Sequence, residues 1–302
     1  MNITLKEIEN ILGFEPDDLT VQQFNDCDLS YDDISDEELQ KYVITFIDVL
    51  MSDIQKSGEH RINEWEVGWT ENLINFQKSK NINDLIPKYH SKNRLVRWNQ
   101  KMVNPKNKDF DYKLHILIVD SIIRKYLSTV DNIFEFGCGT GYHLLRLHEY
   151  FPDKKLIGAD WSTASQSIIN TINNIINTDI GGYNLNFFKP DYSIPINENT
   201  GIYTVAALEQ IGPNFKEFVD FLLVKKPNIC IHFEPIDELL DATKLLDNLT
   251  IKYFRKRKYL DGFLPYLQEL ERMGKIEIIK QHRTYTGSFF IEGHSLIIWK
   301  PL

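Results

Sequence analysis

Cysteine is scarce in this chain. Cys27, Cys138 and Cys230 are odd in number, far apart and without metal-like spacing. That argues against a disulfide framework or a zinc site and favours a reduced, cytosolic setting. Long apolar runs are missing too: nothing approaches the ~20 residues of a membrane span. The start Met1-Asn2-Ile3-Thr4-Leu5-Lys6-Glu7 lacks the basic region and apolar stretch of a secretory signal. Positive charge is in deficit, with 34 Lys and Arg against 43 Asp and Glu, a formal charge of −9. Affinity for duplex DNA or bulk RNA comes mainly from basic neutralisation of phosphates, so no nucleic-acid partner is expected. A local basic pocket for one phosphorylated metabolite is compatible with this balance. Internal repeats and low-complexity tracts are absent. What remains is an ordinary globular composition, 42% hydrophobic and 25% charged over 302 residues, enough for one large domain or two modest ones.

The first hundred or so residues read as helical. Leu39 to Lys56 places Val43, Phe46, Ile47, Leu50, Met51 and Ile54 at helical spacing. Ser35, with Glu38 three residues on, forms a capping-box pattern before it. Ile62 to Phe76 repeats the pattern with Trp65, Trp69, Leu73 and Phe76. Glu15 to Glu38 holds ten acids and no Lys or Arg, the mark of a solvated face. Lys78 to Lys108 then carries nine basic residues, Lys88, Lys92, Arg94 and Arg97 among them, against the single acid Asp84. Pro105 and its polar neighbours suggest a boundary, giving residues 1–105 as a helical cap and 106–302 as a second domain.

From about Tyr112 helices and short apolar strands alternate. Strands are expected at Asn132–Phe136, Lys155–Asp160, Asn184–Phe188, Ile202–Ala206 and Asn228–Phe233, with helices between them. This alternation implies a parallel sheet covered on both faces. Ile276–Gln281 and Phe289–Trp299 read as a terminal antiparallel hairpin turning through Thr286-Gly287.

The segment Glu135-Phe136-Gly137-Cys138-Gly139-Thr140-Gly141 leads from a strand through a glycine-rich turn into a helix. Glycines permit positive φ and let a ligand lie against bare backbone, and the following helix offers free N–H groups. A dinucleotide fingerprint would need Gly or Ala where Tyr142 stands. The spacing suits S-adenosylmethionine (SAM) better; an ordinary strand–helix turn is the plain alternative. Asp160, nineteen residues past Gly141, ends the second strand, where a carboxylate can accept ribose hydroxyls or simply cap the helix after Ser162. Trp161 beside it is a candidate cover for adenine or a core residue. Asp191, beside Pro190, is a candidate acceptor for the adenine amino group or a turn residue.

Glu135 to Gly141, then Asp160, then Asp191, then the final hairpin together resemble the class I SAM-dependent methyltransferase family over residues 112 to 302. The resemblance implies a seven-stranded, mostly parallel, doubly wound α/β sheet of order 3-2-1-4-5-7-6 with strand 7 antiparallel. It implies that Glu135, Gly137, Gly139 and Gly141 surround the methionine part of SAM, that Asp160 holds the ribose and that Asp191 holds the adenine. Basic residues upstream often pair with the SAM carboxylate in that family, which makes Arg97 a candidate. Many members methylating amines or nucleobases carry Asn-Pro-Pro-Tyr after strand 4; here Ala206-Ala207-Leu208-Glu209-Gln210 stands instead, against nucleobase or amide substrates.

Ligands of such sheets bind at the carboxyl ends of the strands. Glu209 after strand 4, and His232 and Glu234 in Ile231-His232-Phe233-Glu234-Pro235, are the catalytic candidates, His232 being the best base near neutral pH by intrinsic pKa. Each has a structural alternative: a loop start, a residue facing the other layer, a helix cap. His143 reads as helix surface. The basic run Lys252 to Tyr259 is either a solvated helix face or an anion site for a substrate phosphate or carboxylate. Trp65, Trp69, Trp98 and Tyr285 are either core or an apolar lid; by resemblance, added N-terminal helices cover the acceptor pocket. The expected activity is methyl transfer from SAM to a small molecule at oxygen or nitrogen. The alternatives are methylation of a protein side chain, with Glu15 to Glu38 recruiting a basic protein, and SAM binding without catalysis.

Overall fold

Thr4 and Ser35 open two helices by the same reciprocal device. In the computed structural model, which describes residues 1–87 and 95–302, helix α1 (Leu5–Leu12) starts with the Thr4 side chain accepting from the Glu7 amide while Glu7 accepts from the Thr4 amide. Helix α2 (Asp18–Asn25) is capped by Asp17. After the short strand β1 (Tyr31–Asp33), helix α3 (Asp36–Met51) carries the Ser35–Glu38 capping box that the sequence pattern predicts. Helix α4 (Ile62–Ser79) follows. Lys88, Lys92 and Arg94 of the basic stretch lie outside the described residues. Strands β2 (Val96–Trp98) and β3 (Lys101–Pro105) form a hairpin through Asn99 and Gln100, both at positive φ as a tight turn of matching twist demands.

The alternating part begins with α5 (Phe110–Leu127). It runs through β4 (Asn132–Phe136), α6 (Tyr142–Tyr150), β5 (Lys155–Asp160), α7 (Thr163–Ile176), β6 (Gly181–Asn184), β7 (Thr200–Val205), α8 (Lys216–Lys225) and β8 (Ile229–Glu234). Then come α9 (Leu245–Arg257), α10 (Phe263–Arg272), β9 (Ile276–His282), β10 (Thr286–Gly287) and β11 (Ser295–Pro301). Seven strands pair in the order β6-β5-β4-β7-β8-β11-β9. Numbered within that sheet this is 3-2-1-4-5-7-6. The first five strands run parallel, and β11 is antiparallel to both β8 and β9. Alternation along β4 sends Ile133 to one face, with α5, α6 and α7, and sends Phe134 and Phe136 to the other, with Phe218 and Phe221 of α8. Apolar burial on both faces makes these central strands nearly continuously hydrophobic.

Three expectations are corrected. The third strand is Gly181–Asn184, ending where Asn184–Phe188 was expected to begin. Its glycines disguise it, since glycine is depleted from strands. Here a Cβ on Gly181 would come within 3.1 Å of Ile157, so the residue permits close approach to β5. β9 and β11 pair antiparallel as expected, but Thr286-Gly287 between them is not merely their turn. It pairs with Arg97 and Trp98 in a second sheet of order β1-β3-β2-β10, and the last strand begins only at Ser295. The first hundred residues are therefore not helical throughout. β2 is buried at all three residues, so it offers no alternating pattern to read, and its partner β10 lies almost two hundred residues away.

Candidate active site

The carboxyl ends of β5, β4 and β7 meet at one cavity of about 380 Å³. Gly137, just past β4, has φ +76°, and its amide donates to the Ala159 carbonyl at 2.7 Å. A Cβ on Gly137 would lie 2.3 Å from the Ala207 Cβ. Only glycine lets the loops after β4 and β7 come this close. Ala206, also in the wall, holds φ +50°, a costly conformation for a residue with a side chain.

Asp160 ends β5 and is 4% exposed. Its Oδ2 accepts from the Gly139 amide and its Oδ1 from the Ser162 amide, each at 2.9 Å. Burial pushes its carboxyl up to about 6, against the pull of those amides. Asp160 therefore ties the glycine loop to the start of α7, and it lines the cavity. The cap of α7 comes from the roof rather than from Asp160. Glu66 on α4 accepts from the Ser162 hydroxyl, the Thr163 amide and hydroxyl, and the Ala164 amide, at 2.7 to 3.1 Å. A carboxylate at a helix N-terminus is favourably placed, and here it also fixes α4 over the site. Trp65 and Trp69 project from α4 into the cavity wall, joined by Trp161 and Phe187.

The opposite end is polar. Glu234, at the end of β8, is fully buried; its Oε1 accepts from the Ala207 and Leu208 amides at 3.0 and 3.1 Å and its Oε2 from the Glu209 amide at 3.3 Å. That clamp holds the short 3-10 turn after β7, which presents Glu209 and Gln210. The Gln210 side-chain amide donates to Glu209 Oε1 at 2.7 Å, and its oxygen accepts from Arg61, which in turn pairs with Glu64. Glu209 Oε2 has no hydrogen-bond partner among the described residues. Burial and the neighbouring Glu234 push the Glu209 carboxyl up to about 8. Arg257 and Tyr259 complete this end of the wall.

Of the residues expected from sequence, Gly137, Asp160, Trp161 and Glu209 line the cavity, as do Trp65 and Trp69. Others do not. Gly139 packs against the Trp69 indole, which a Cβ would approach to 2.8 Å, and Gly141 faces Ile169 and Ile172. Glu135 is buried beneath the loop beside Tyr203, its carboxyl pushed well up by burial. Arg97 is committed to the Tyr42 hydroxyl and the Leu246 carbonyl. Asp191 is exposed and closes a turn onto Ser193. His232 is 1% exposed, hydrogen-bonds Thr204 at 3.0 Å, and packs between Phe263 and Trp299 on the far face of the sheet. Burial drives its pKa down to about 3. Strand alternation, the plain reading of His232, decides its side. Trp98 is core. The basic run divides: Lys252 and Arg255 are exposed, whereas Arg257 and Tyr259 reach the cavity.

Sequence reasoning missed Arg61, His115 and His294. The two imidazoles share the cavity wall with ring centroids 4.8 Å apart, and His143 lies 5.6 Å from His115. They come from α5 and from the segment before β11, with no local motif to join them.

No family model and no curated protein matches the chain. Among solved structures it is similar to NcsB1, an O-methyltransferase from neocarzinostatin biosynthesis in complex with SAM and 2-hydroxy-5-methyl naphthoic acid. That match has 14% identity over 63% of this chain and 55% of the other, TM-score 0.46. It is also similar to human N-acetylserotonin methyltransferase in complex with SAM, with 14% identity, 61% and 52% coverage and TM-score 0.44. LepI in complex with SAM gives 12% identity, 57% and 43% coverage and TM-score 0.41. The chain thus spans about half the length of these neighbours. Its own sheet, 3-2-1-4-5-7-6 with the seventh strand reversed, decides the architecture. This is the class I methyltransferase fold. In that fold the glycine loop follows the first strand and the acidic residue ends the second, as Gly137 and Asp160 do here.

Proposed function

We propose that the chain transfers the methyl group of SAM to a small-molecule acceptor at oxygen or nitrogen. The observation that carries this reading is the shared wall: the bare backbone of Gly137 and the buried carboxylate of Asp160 open onto one cavity at the ends of adjacent parallel strands. The residues present fit the cofactor. Asp160 would hold the ribose hydroxyls, Gly137 would lie along the methionine part, and Trp161 would border the base. SAM supplies a methyl group already activated by its positive sulfur.

The protein's part is alignment and exclusion of water. Residues 1–105 serve as the cap, with α4 fixed by Glu66 and its tryptophans closing the wall. Glu209, held through Gln210, is able to accept a proton from the acceptor once it is ionised, and the His115–His294 pair is the other basic group in the wall.

Calorimetric titration of SAM tests the reading. Wild type is expected to bind, and Asp160→Ala to bind at least tenfold more weakly. Equal affinity in the two would remove the ribose assignment, and no binding to wild type would remove the cofactor.

A further inference from the structure

Resting on that reading, we propose that the acceptor is an acid: its carboxylate is held by Arg257, with Arg61 beside it, and its O–H or N–H faces Glu209. Asp160 and Glu209 follow strands on opposite sides of β4. Neighbouring strands lie about 4.8 Å apart, so the two carboxyls stand over positions roughly 10 Å apart, with Gly137 between them. The cofactor's ribose and methionine use the Asp160 and Gly137 side. The Glu209 side is left for the acceptor.

Charge at that side is unbalanced. Arg61 is 6% exposed and paired with Glu64. Arg257 also lines the cavity. Among the described residues it makes no salt bridge; one amino group donates to the Gln55 carbonyl, the guanidinium lies over the Tyr259 ring at 5.1 Å and interacts with the Tyr259 hydroxyl, and its Nε is buried without a partner. Glu209 is within electrostatic reach of Arg257, yet the two are not hydrogen-bonded to each other. Its Oε1 is fixed by Gln210 and its Oε2 is unpartnered, in a residue 94% removed from solvent if its 6% exposure is taken from the whole. Arg257 is half-buried, and its buried Nε, like the buried Glu209 Oε2, is costly to leave without a partner. One ligand meets both needs: a carboxylate for the guanidinium fork and, close by, a hydroxyl or amine that hydrogen-bonds Glu209 Oε2. Trp65 and Trp69, whose rings pack on each other with centroids 5.3 Å apart, offer an apolar wall against which a flat body can lie.

The tryptophans of the wall supply the measurement, as quenching of intrinsic fluorescence. The probes are 2-, 3- and 4-hydroxybenzoate, each against its neutral amide. At least one acid is expected to bind wild type saturably and at least tenfold more tightly than its amide. Arg257→Gln should bring the pair to within twofold, and Arg257→Lys should keep part of the preference. Glu209→Gln, which preserves the arginine, should keep the preference for the acid. Circular dichroism of Arg257→Gln establishes that it is folded; if it is not, Arg257→Lys and the acid–amide ratio of wild type decide alone. Equal binding of acid and amide by wild type, no saturable binding of any acid, or an undiminished preference in Arg257→Gln each overturns the proposal. SAM is titrated into the same variants. Its affinity should be unchanged in Arg257→Gln; a tenfold loss there would assign the arginine to the cofactor's carboxylate and overturn the proposal while leaving the cofactor reading intact. An acid preference in a wild type that binds no SAM would do the reverse.

Discussion

Asp160 and Glu209 are both buried carboxyls at the ends of parallel strands, yet they are held in opposite ways. Both oxygens of Asp160 accept from backbone amides, Gly139 and Ser162, within one local strand–loop–helix unit. Glu209 is oriented by side chains: Gln210 beside it, Arg61 from the cap behind Gln210, and Glu234 from β8 beneath its own amide. The half proposed for the cofactor is written in local backbone geometry. The half proposed for the acceptor is assembled from distant segments.

The sharpest way to break that contrast is to remove the clamp under Glu209. In Glu234→Ala three buried amides, of Ala207, Leu208 and Glu209, lose their acceptor. Each unsatisfied buried group costs about 1–3 kcal/mol, so urea unfolding should show a loss of at least about 3 kcal/mol. Glu234→Gln keeps an acceptor oxygen and should lose less. A Glu234→Ala protein as stable as wild type would mean that the turn finds its hydrogen bonds elsewhere and is not held by β8.

The glycine loop offers a test within the cofactor half. Gly137 and Gly141 have φ +76° and +69°, so alanine at either pays the left-handed penalty of roughly 1–2 kcal/mol. Only at Gly137 would the new methyl meet Ala207 at 2.3 Å; at Gly141 the nearest atoms are 3.5 Å away, on Ile169 and Ile172. Overpacking adds about 1–3 kcal/mol. Gly137→Ala should therefore lose at least tenfold in SAM affinity as well as stability. Gly141→Ala should melt lower yet titrate with SAM like wild type. Equal SAM losses in the two would place Gly141 at the cofactor after all.

The same division explains what the sequence disclosed. The glycine loop, Asp160 and the boundaries of β4 and β5 were legible because each depends on neighbours within a few residues. Glu209 was legible only as a position after a strand. Its partners Arg61 and Arg257 stand 148 residues upstream and 48 downstream by their numbers, and no periodicity links them. His232 drew attention for its chemistry, but a one-residue alternation placed it against Phe263 and Trp299. The second sheet escaped notice because two-residue β10 carries no pattern of its own. Asp191 was read from a strand placed several residues late, and the shift left it on an exposed turn.

The mildest test compares how the two carboxyls answer to pH. Burial raises both, Asp160 from 3.8 to about 6 and Glu209 from 4.5 to about 8. For an acid so raised, the folded state keeps its proton where the unfolded chain has released it. Its favourable contribution is complete below the unfolded value and disappears as pH rises through the folded one. For Glu209 that window runs from 4.5 to about 8. Glutamine mimics the protonated acid and cannot ionise. Glu209→Gln should therefore flatten the fall in stability across that window, match wild type near pH 4.5, and melt higher at pH 8 by on the order of 2 °C. Melting curves at pH 4.5, 6.5 and 8 check this. A variant that tracks wild type in parallel at all three would show that Glu209 is already ionised within the fold, held by Arg257 in the free protein. A guanidinium so neutralised would have no charge left over for an acidic ligand.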